Sequence, residues 1–165
     1  MNAQITGPRV LGPNDGLALT DAEGRVDRFL IDAADSGGGF SLVEHTLLPK
    51  TLAAPVHLHT REDEYSFVLD GRLGVLLGDE EVFAEAGTLV FKPRRQWHTF
   101  WNAGDGPVRL LEIISPGGLE QLFRRLGEPG GEYDPETLPA LAAEYGCEID
   151  FEATMPLVER HQLTF

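Results

Sequence analysis

The chain has 165 residues and a mass of 18.1 kDa, which is room for one ordinary domain with an apolar core. Twenty-seven acidic against 13 basic residues give a formal net charge of −14, which repels phosphate backbones and anionic lipid, so neither nucleic acid nor a membrane is an expected partner. The N-terminal MNAQITGPRVLGPNDG lacks a basic stretch followed by an apolar one, no later run approaches the ~18 apolar residues of a membrane span, and the single cysteine, Cys147, cannot pair within the chain; a soluble, cytoplasmic protein with an unreactive free thiol is expected.

Nineteen glycines and eleven prolines, spread along the chain, cut it into short pieces in the manner of all-β proteins. Up to residue 48, the apolar segments Val26 to Ile31 and Phe40 to Leu48 alternate with turn clusters at Asp21–Gly24 and Asp35–Gly39, which reads as strands separated by reversals. Gly37-Gly38-Gly39 lacks the lysine and the spacing of a phosphate-binding loop and reads as a turn. From 55 to 115 the punctuation is regular: Asp70-Gly71, Gly78-Asp79, Ala86-Gly87 and Gly104-Asp105-Gly106 separate short strand-like runs, as in a series of antiparallel hairpins. Along Glu64–Leu69 one face carries Glu64, Ser66 and Val68 and the other Tyr65, Phe67 and Leu69. Both faces need cover, one from a barrel interior and the other from a second layer or a second copy of the chain, so Tyr65, Phe67 and Leu69 suggest a homodimer.

Beyond Pro116 the period becomes helical, with Leu119, Leu122, Phe123 and Leu126 on one stripe that ends at Gly127. A second helix is expected within 135–145, starting near Thr137 because Pro139 sits badly in a helix interior. The tail to Phe165 carries no readable pattern.

The chemistry-bearing residues cluster in the middle. In His57-Leu58-His59 the two imidazoles lie two residues apart, so on a strand they share a face and can lean onto one ion while Leu58 points away. Glu64 follows five residues after His59, which on a straight strand is the wrong face, so the Thr60–Asp63 segment must bend or bulge; Glu62 is the competing carboxylate. His98 comes from a separate strand, Trp97–Asn102, that sets His98, Phe100 and Asn102 on one side. His45 and His161 have no partner pattern and read as ordinary structural histidines, and the aromatic side chains of Trp97, Phe100 and Trp101 read as core before recognition. The sequence offers no nucleophile elbow and no candidate cysteine nucleophile paired with His and Asp or Asn, so a metal is the only chemistry visible.

These intervals resemble the two sequence motifs of the cupin superfamily. His57, His59, Glu64 and Gly71 follow the first, with four residues between His59 and Glu64; Gly87, Pro93, His98 and Asn102 fall in register with the second. Two turn glycines of the pattern are replaced, by Thr51 and by Arg95; Arg95 either strains its turn, if the backbone there needs positive φ, or points a cation at the mouth of the site. The resemblance implies an all-β fold, a double-stranded β-helix or jelly-roll barrel with short C-terminal helices. It implies a single domain over 1–165, divided into N-terminal strands 1–48, a barrel core 49–115 and a C-terminal helical segment 116–165. One divalent ion (Fe, Mn, Ni, Co, Cu or Zn) held by His57, His59, Glu64 and His98 is implied with it.

The chain as a whole is similar to small single-domain cupins likened to quercetin 2,3-dioxygenase. That implies a dioxygenase acting on a flavonol-like or enolisable small molecule, whose oxygen binds the metal while Glu64 serves as ligand and general base. The alternatives are a non-oxidative cupin such as an isomerase, or a small-molecule-binding protein. A sugar-phosphate isomerase would need a basic cluster near the pocket, and Lys92, Arg94 and Arg95 are the candidates.

Overall fold

The computed structural model describes residues 7–21, 23–128 and 134–164, so the residues before Gly7 and the C-terminal Phe165 lie outside it. Two antiparallel sheets face each other. The first has six strands in the order β1 (Leu17–Thr20), β2 (Val26–Ile31), β3 (Ser41–Leu47), β10 (Val108–Ser115), β5 (Asp63–Asp70) and β8 (Leu89–Lys92). The second has five, in the order β11 (Cys147–Asp150), β4 (Val56–His59), β9 (His98–Asn102), β6 (Arg72–Leu77) and β7 (Glu80–Glu85). The long connections between neighbours, β3 to β10 and β4 to β9, make this the expected jelly roll, and the helices α1 (Glu120–Gly127), α2 (Leu138–Glu144) and α3 (Phe151–His161) follow it.

Strand alternation fixes what faces the interior. On β5, Glu64, Ser66 and Val68 are buried while Phe67 is exposed and Tyr65 and Leu69 half-buried, as the pattern requires. Registers with β10 and β8 place Glu64 beside Ile114 and Lys92, Ser66 beside Glu112 and Val90, and Val68 beside Leu110. The interior therefore grades from polar at Glu64 to apolar at Val68, where Leu47, Leu73, Val75, Val90, Phe100, Val108 and Leu110 form the main core. The outer face of the second sheet is closed by α3, since Trp101 packs with Leu52, Leu157 and Leu163. No room is left there: a Cβ on Gly74 would lie 2.1 Å from the Trp101 ring, which is why glycine stands opposite that indole.

The C-terminal part is more than the expected helical segment. Helix α2 starts at Leu138 behind Thr137 with Pro139 in its first turn, as read, but β11 adds a strand to β4 and α3 follows it, neither of which the pattern announced. β11 has only four residues, and α3 is signalled only by Asp150, whose carboxylate caps the Ala153 N–H. Helices α1 and α2 pack Leu122, Leu126, Leu138 and Ala142 with Ile114 and Cys147 in a second core. The outer face of β5 is left uncovered by the described residues: Phe67, Leu89 and Phe91 are exposed there, and β8 is an edge strand.

Candidate metal centre

His57 and His59 share the inner face of β4, and His57 is the direct register partner of His98 on β9, so three imidazoles converge from two neighbouring strands of one sheet. Their ring centroids are 4.8 Å (His57–His59), 4.4 Å (His57–His98) and 5.2 Å (His59–His98) apart. Glu64 meets them from the facing sheet. Its parity is resolved by the expected bend, at Thr60 and Arg61: residues 60–62 carry the chain from the second sheet to the first, and the inward sides of two facing sheets are opposite. Glu62, also buried, is not part of the cluster.

One donor atom from each of His57, His59, Glu64 and His98 lies within 4.8 Å of all the others. Glu64 Oε2 is 3.0 Å from His98 Nε2 and 3.2 Å from His59 Nε2, separations that suit adjacent ligands of one ion at about 2.1 Å from each. His59 Nε2 is buried without an aligned hydrogen bond, a cost that a metal removes. Tautomers are preset as well. His57 Nδ1 lies 2.7 Å from the Pro55 carbonyl and His98 Nδ1 2.8 Å from the Gln96 carbonyl. A carbonyl only accepts, so both Nδ1 atoms carry a proton and Nε2 is the atom that each ring offers to the centre. His59 Nδ1 is held by Cys147 Sγ at 3.0 Å, which gives the lone cysteine of β11 a place in the site. The residues present thus fit a divalent ion, in donor chemistry and in spacing.

Behind Glu64 lies a buried charge network. Lys92 Nζ stands 3.2 Å from Glu64 Oε2 and 3.0 Å from Glu112 Oε1, with the face of Phe100 4.6 Å away, while Ser66 donates to Glu112 at 2.7 Å. Burial works against the Glu64 charge, but Lys92 and then His59 outweigh it and hold the carboxyl well below the usual carboxylate range. For Glu112 burial wins, and its carboxyl is pushed up. Burial also opposes the charge on His59, yet Glu64 outweighs it and pushes that imidazole up to about 10. Burial, followed by the other two imidazoles, sends His57 well down.

The cluster opens into a cavity of about 670 Å³, its mouth included, between the barrel and the helices. Its remaining wall is largely apolar, with Pro55, Phe100, Leu122, Phe123, Leu138 and Ile149 among its residues. Of the three aromatics weighed from sequence, Phe100 lines this cavity and Trp101 lies under α3. His161 is structural as expected, paired with Glu81 at 2.7 Å and tilted over Trp101 at 4.8 Å. His45 is buried and hydrogen-bonded to Asp27, as a structural histidine is, and it also lines the cavity wall. The signal was available, since Asp27 and His45 stand directly opposite in the β2–β3 hairpin.

Both replaced turn glycines are accounted for. Arg95 takes φ 65°, the strained option, and its N–H donates to the His59 carbonyl at 2.7 Å, tying the β8–β9 turn to the ligand strand. Before β4 the left-handed residue is Lys50, at φ 62°, so Thr51 needs no special backbone. The basic cluster disperses: Lys92 is buried in the network and Arg94 pairs with Asp63 at 2.9 Å.

The cupin domain family matches residues 43–114, which contain all four donors. Residues 43–114 form a cupin domain. Over 100 residues the chain is 29% identical to the tetracenomycin polyketide synthase protein TcmJ of Streptomyces glaucescens, an overlap of 61% of this chain and 67% of that protein. The polyketide cyclase RemF of Streptomyces resistomycificus is 27% identical, with a TM-score of 0.57 over 66% of this chain and 80% of its own. A cupin sugar phosphate isomerase from Silicibacter pomeroyi superposes with a TM-score of 0.56 at 21% identity, over 65% of this chain and 75% of that one, and shows the shared fold. Among the described residues no helix is long and apolar enough to cross a membrane.

Proposed function

We propose that this cupin is a metal-dependent enzyme acting on an enolisable, oxygen-rich small molecule of polyketide type. The observation that carries this reading is the meeting of three imidazoles and one carboxylate in the wall of an otherwise apolar cavity. Two relatives named for polyketide chemistry support the substrate class. A bound divalent ion would supply a Lewis acid that polarises a carbonyl or enol oxygen. His57, His59 and His98 hold the centre in place through their fixed Nδ1 contacts. Glu64 is both ligand and acceptor of the substrate proton, with Lys92 compensating its charge, and the apolar wall excludes water from the enolate.

Two outcomes follow from an enolate: attack on a second carbonyl of the same molecule, with loss of water, or addition of O₂. Ring closure is favoured by the two relatives; dioxygenation is the second reading, favoured by the three-histidine, one-glutamate set. Metal-loaded protein incubated with aryl β-diketones, aromatic poly-β-ketones and flavonols, with mass spectrometry alongside an oxygen electrode, separates them. Ring closure gives products short one water with no oxygen uptake, whereas dioxygenation consumes one O₂ per substrate. Absence of metal-dependent binding by every probe overturns the proposal. A sugar phosphate is not favoured, because the one arginine among the cavity residues, Arg25, is engaged with Asp21 and Asp27 at 3.2 and 3.4 Å.

We also propose that two copies pair through the outer face of β5 and β8, where Phe67, Leu89 and Phe91 are exposed and Tyr65 stacks on Phe91 at 4.9 Å. Size-exclusion chromatography with light scattering should give a dimer; a monomer at all concentrations overturns this.

A further inference from the structure

The cavity holds a second polar group that the four-donor cluster does not use. His45 Nδ1 lies 2.7 Å from Asp27 Oδ1, and both residues are buried, 5% and 3% exposed. Arg25 Nε stands 3.4 Å from the same carboxylate oxygen. Burial works against the Asp27 charge, but Arg25 and His45 outweigh it and hold the carboxyl below its ordinary value. An ionised carboxylate only accepts, so Nδ1 donates to Asp27, and Nε2 is the ring nitrogen left for a ligand. Nε2 makes no hydrogen bond to any described residue, and the ring lines the cavity, edge-on to Phe123 at 5.5 Å and tilted to Phe100 at 6.0 Å.

We infer that His45, oriented by Asp27, is the second anchor of the ligand, accepting a hydrogen bond from a phenolic or enolic hydroxyl remote from the metal-bound oxygens. This rests on the reading of the cavity as the site of an enolisable, oxygen-rich molecule. Three short steps join the two ends: His45 to the Phe100 ring at 6.0 Å, that ring to Lys92 Nζ at 4.6 Å, and Lys92 to Glu64 at 3.2 Å. A planar molecule of two or three rings covers that reach, with oxygens at one edge for the four-donor cluster and a hydroxyl at the other for His45. Phe100 and Phe123 then flank its middle. Discrimination comes from the cost of the alternative: a ligand lacking the hydroxyl leaves a buried lone pair unmatched, which a site built to hydrogen-bond a hydroxyl does not tolerate.

The probes are 3-hydroxyflavone, which carries only the chelating pair, and its 3,7- and 3,4′-dihydroxy analogues, titrated optically into zinc-loaded protein. The wild type should bind one of the dihydroxy compounds at least about tenfold more tightly than 3-hydroxyflavone, and His45→Phe should bring the two within about twofold while zinc content stays unchanged. If His45→Phe does not fold, the wild type decides alone. The ¹⁵N resonance of His45 Nε2 should move on adding the preferred dihydroxy probe, but not on adding 3-hydroxyflavone. Metal-dependent binding with no hydroxyl preference, a preference that survives His45→Phe, or an Nε2 resonance that ignores the hydroxyl overturns this inference and leaves the proposed function standing. Failure of all three probes to bind overturns this inference, and the β-diketone and poly-β-ketone probes then decide the proposed function.

Discussion

Replacing Lys92 with methionine keeps most of the side-chain volume and removes the one cation that lies between Glu64, at 3.2 Å, and Glu112, at 3.0 Å. Lysine 92 is fully buried, and so are both carboxylates, so the variant leaves two acidic groups with no water to solvate them. Glu112 gives way first: burial already pushes its carboxyl up, and without Lys92 it takes a proton. Glu64 keeps its charge and carries most of the penalty. Breaking a buried pair in this way costs about 3–5 kcal/mol, which for a domain of this size lowers Tm by about 6–20 °C. A bound divalent ion restores positive charge beside Glu64, so the loss in metal-loaded protein should be less than half of that in the apo form. Thermal and urea melts of wild type and Lys92→Met, in chelator and with one equivalent of metal, measure both differences. An apo loss under about 1 kcal/mol, or equal losses with and without metal, would refute the reasoning.

Loading should also release protons. In the apo protein the Glu64 carboxylate pushes the buried His59 up to about 10, so at pH 7 the ring is charged, and it must become neutral to ligate. Calorimetric titration of metal at pH 7 in buffers of different ionisation enthalpy should show about one proton released per ion, and release near zero would contradict this. The sign for apo stability follows: because the folded value lies above the unfolded 6.5, the His59 contribution is complete below pH 6.5 and is lost as pH rises through about 10. Cys147→Ala removes the partner of His59 Nδ1 and should weaken metal binding about 10- to 100-fold, whereas Cys147→Ser should retain most of it; equal affinities in a competition assay would remove Cys147 from the site. Gly74→Ala forces a Cβ against Trp101 and should cost at least about 1–3 kcal/mol in denaturant melts, with metal content per folded protein unchanged; a neutral effect would mean the α3 face is loosely packed.

Much of the fold was legible because strand patterning is local. The hairpins of the barrel announce themselves through Asp70-Gly71 and Gly78-Asp79, and the His57/His59 pair through its two-residue period. What escaped depends on contacts distant in sequence. Strand β11 is recognisable only by its pairing with β4, which lies 88 residues from Cys147 at the His59 contact. The inward turn of Glu64 is a switch between sheets, which a single-strand parity argument cannot express. His45 has no local motif, and its meaning comes from Asp27 across the hairpin and from α1, whose Phe123 closes the cavity around it. The outcome at Arg95 needed its φ of 65°, which the replaced glycine only hinted at.

The account stands on four side chains acting as one binding site, and elemental analysis of gently purified protein, joined to calorimetric reloading after chelation, tests that directly. The expected result is one divalent ion per chain in the wild type, with binding lost when His57 and His98 are both replaced by alanine and the fold retained. Less than a tenth of an equivalent after reloading with every first-row candidate, or full binding by the double variant, would contradict it.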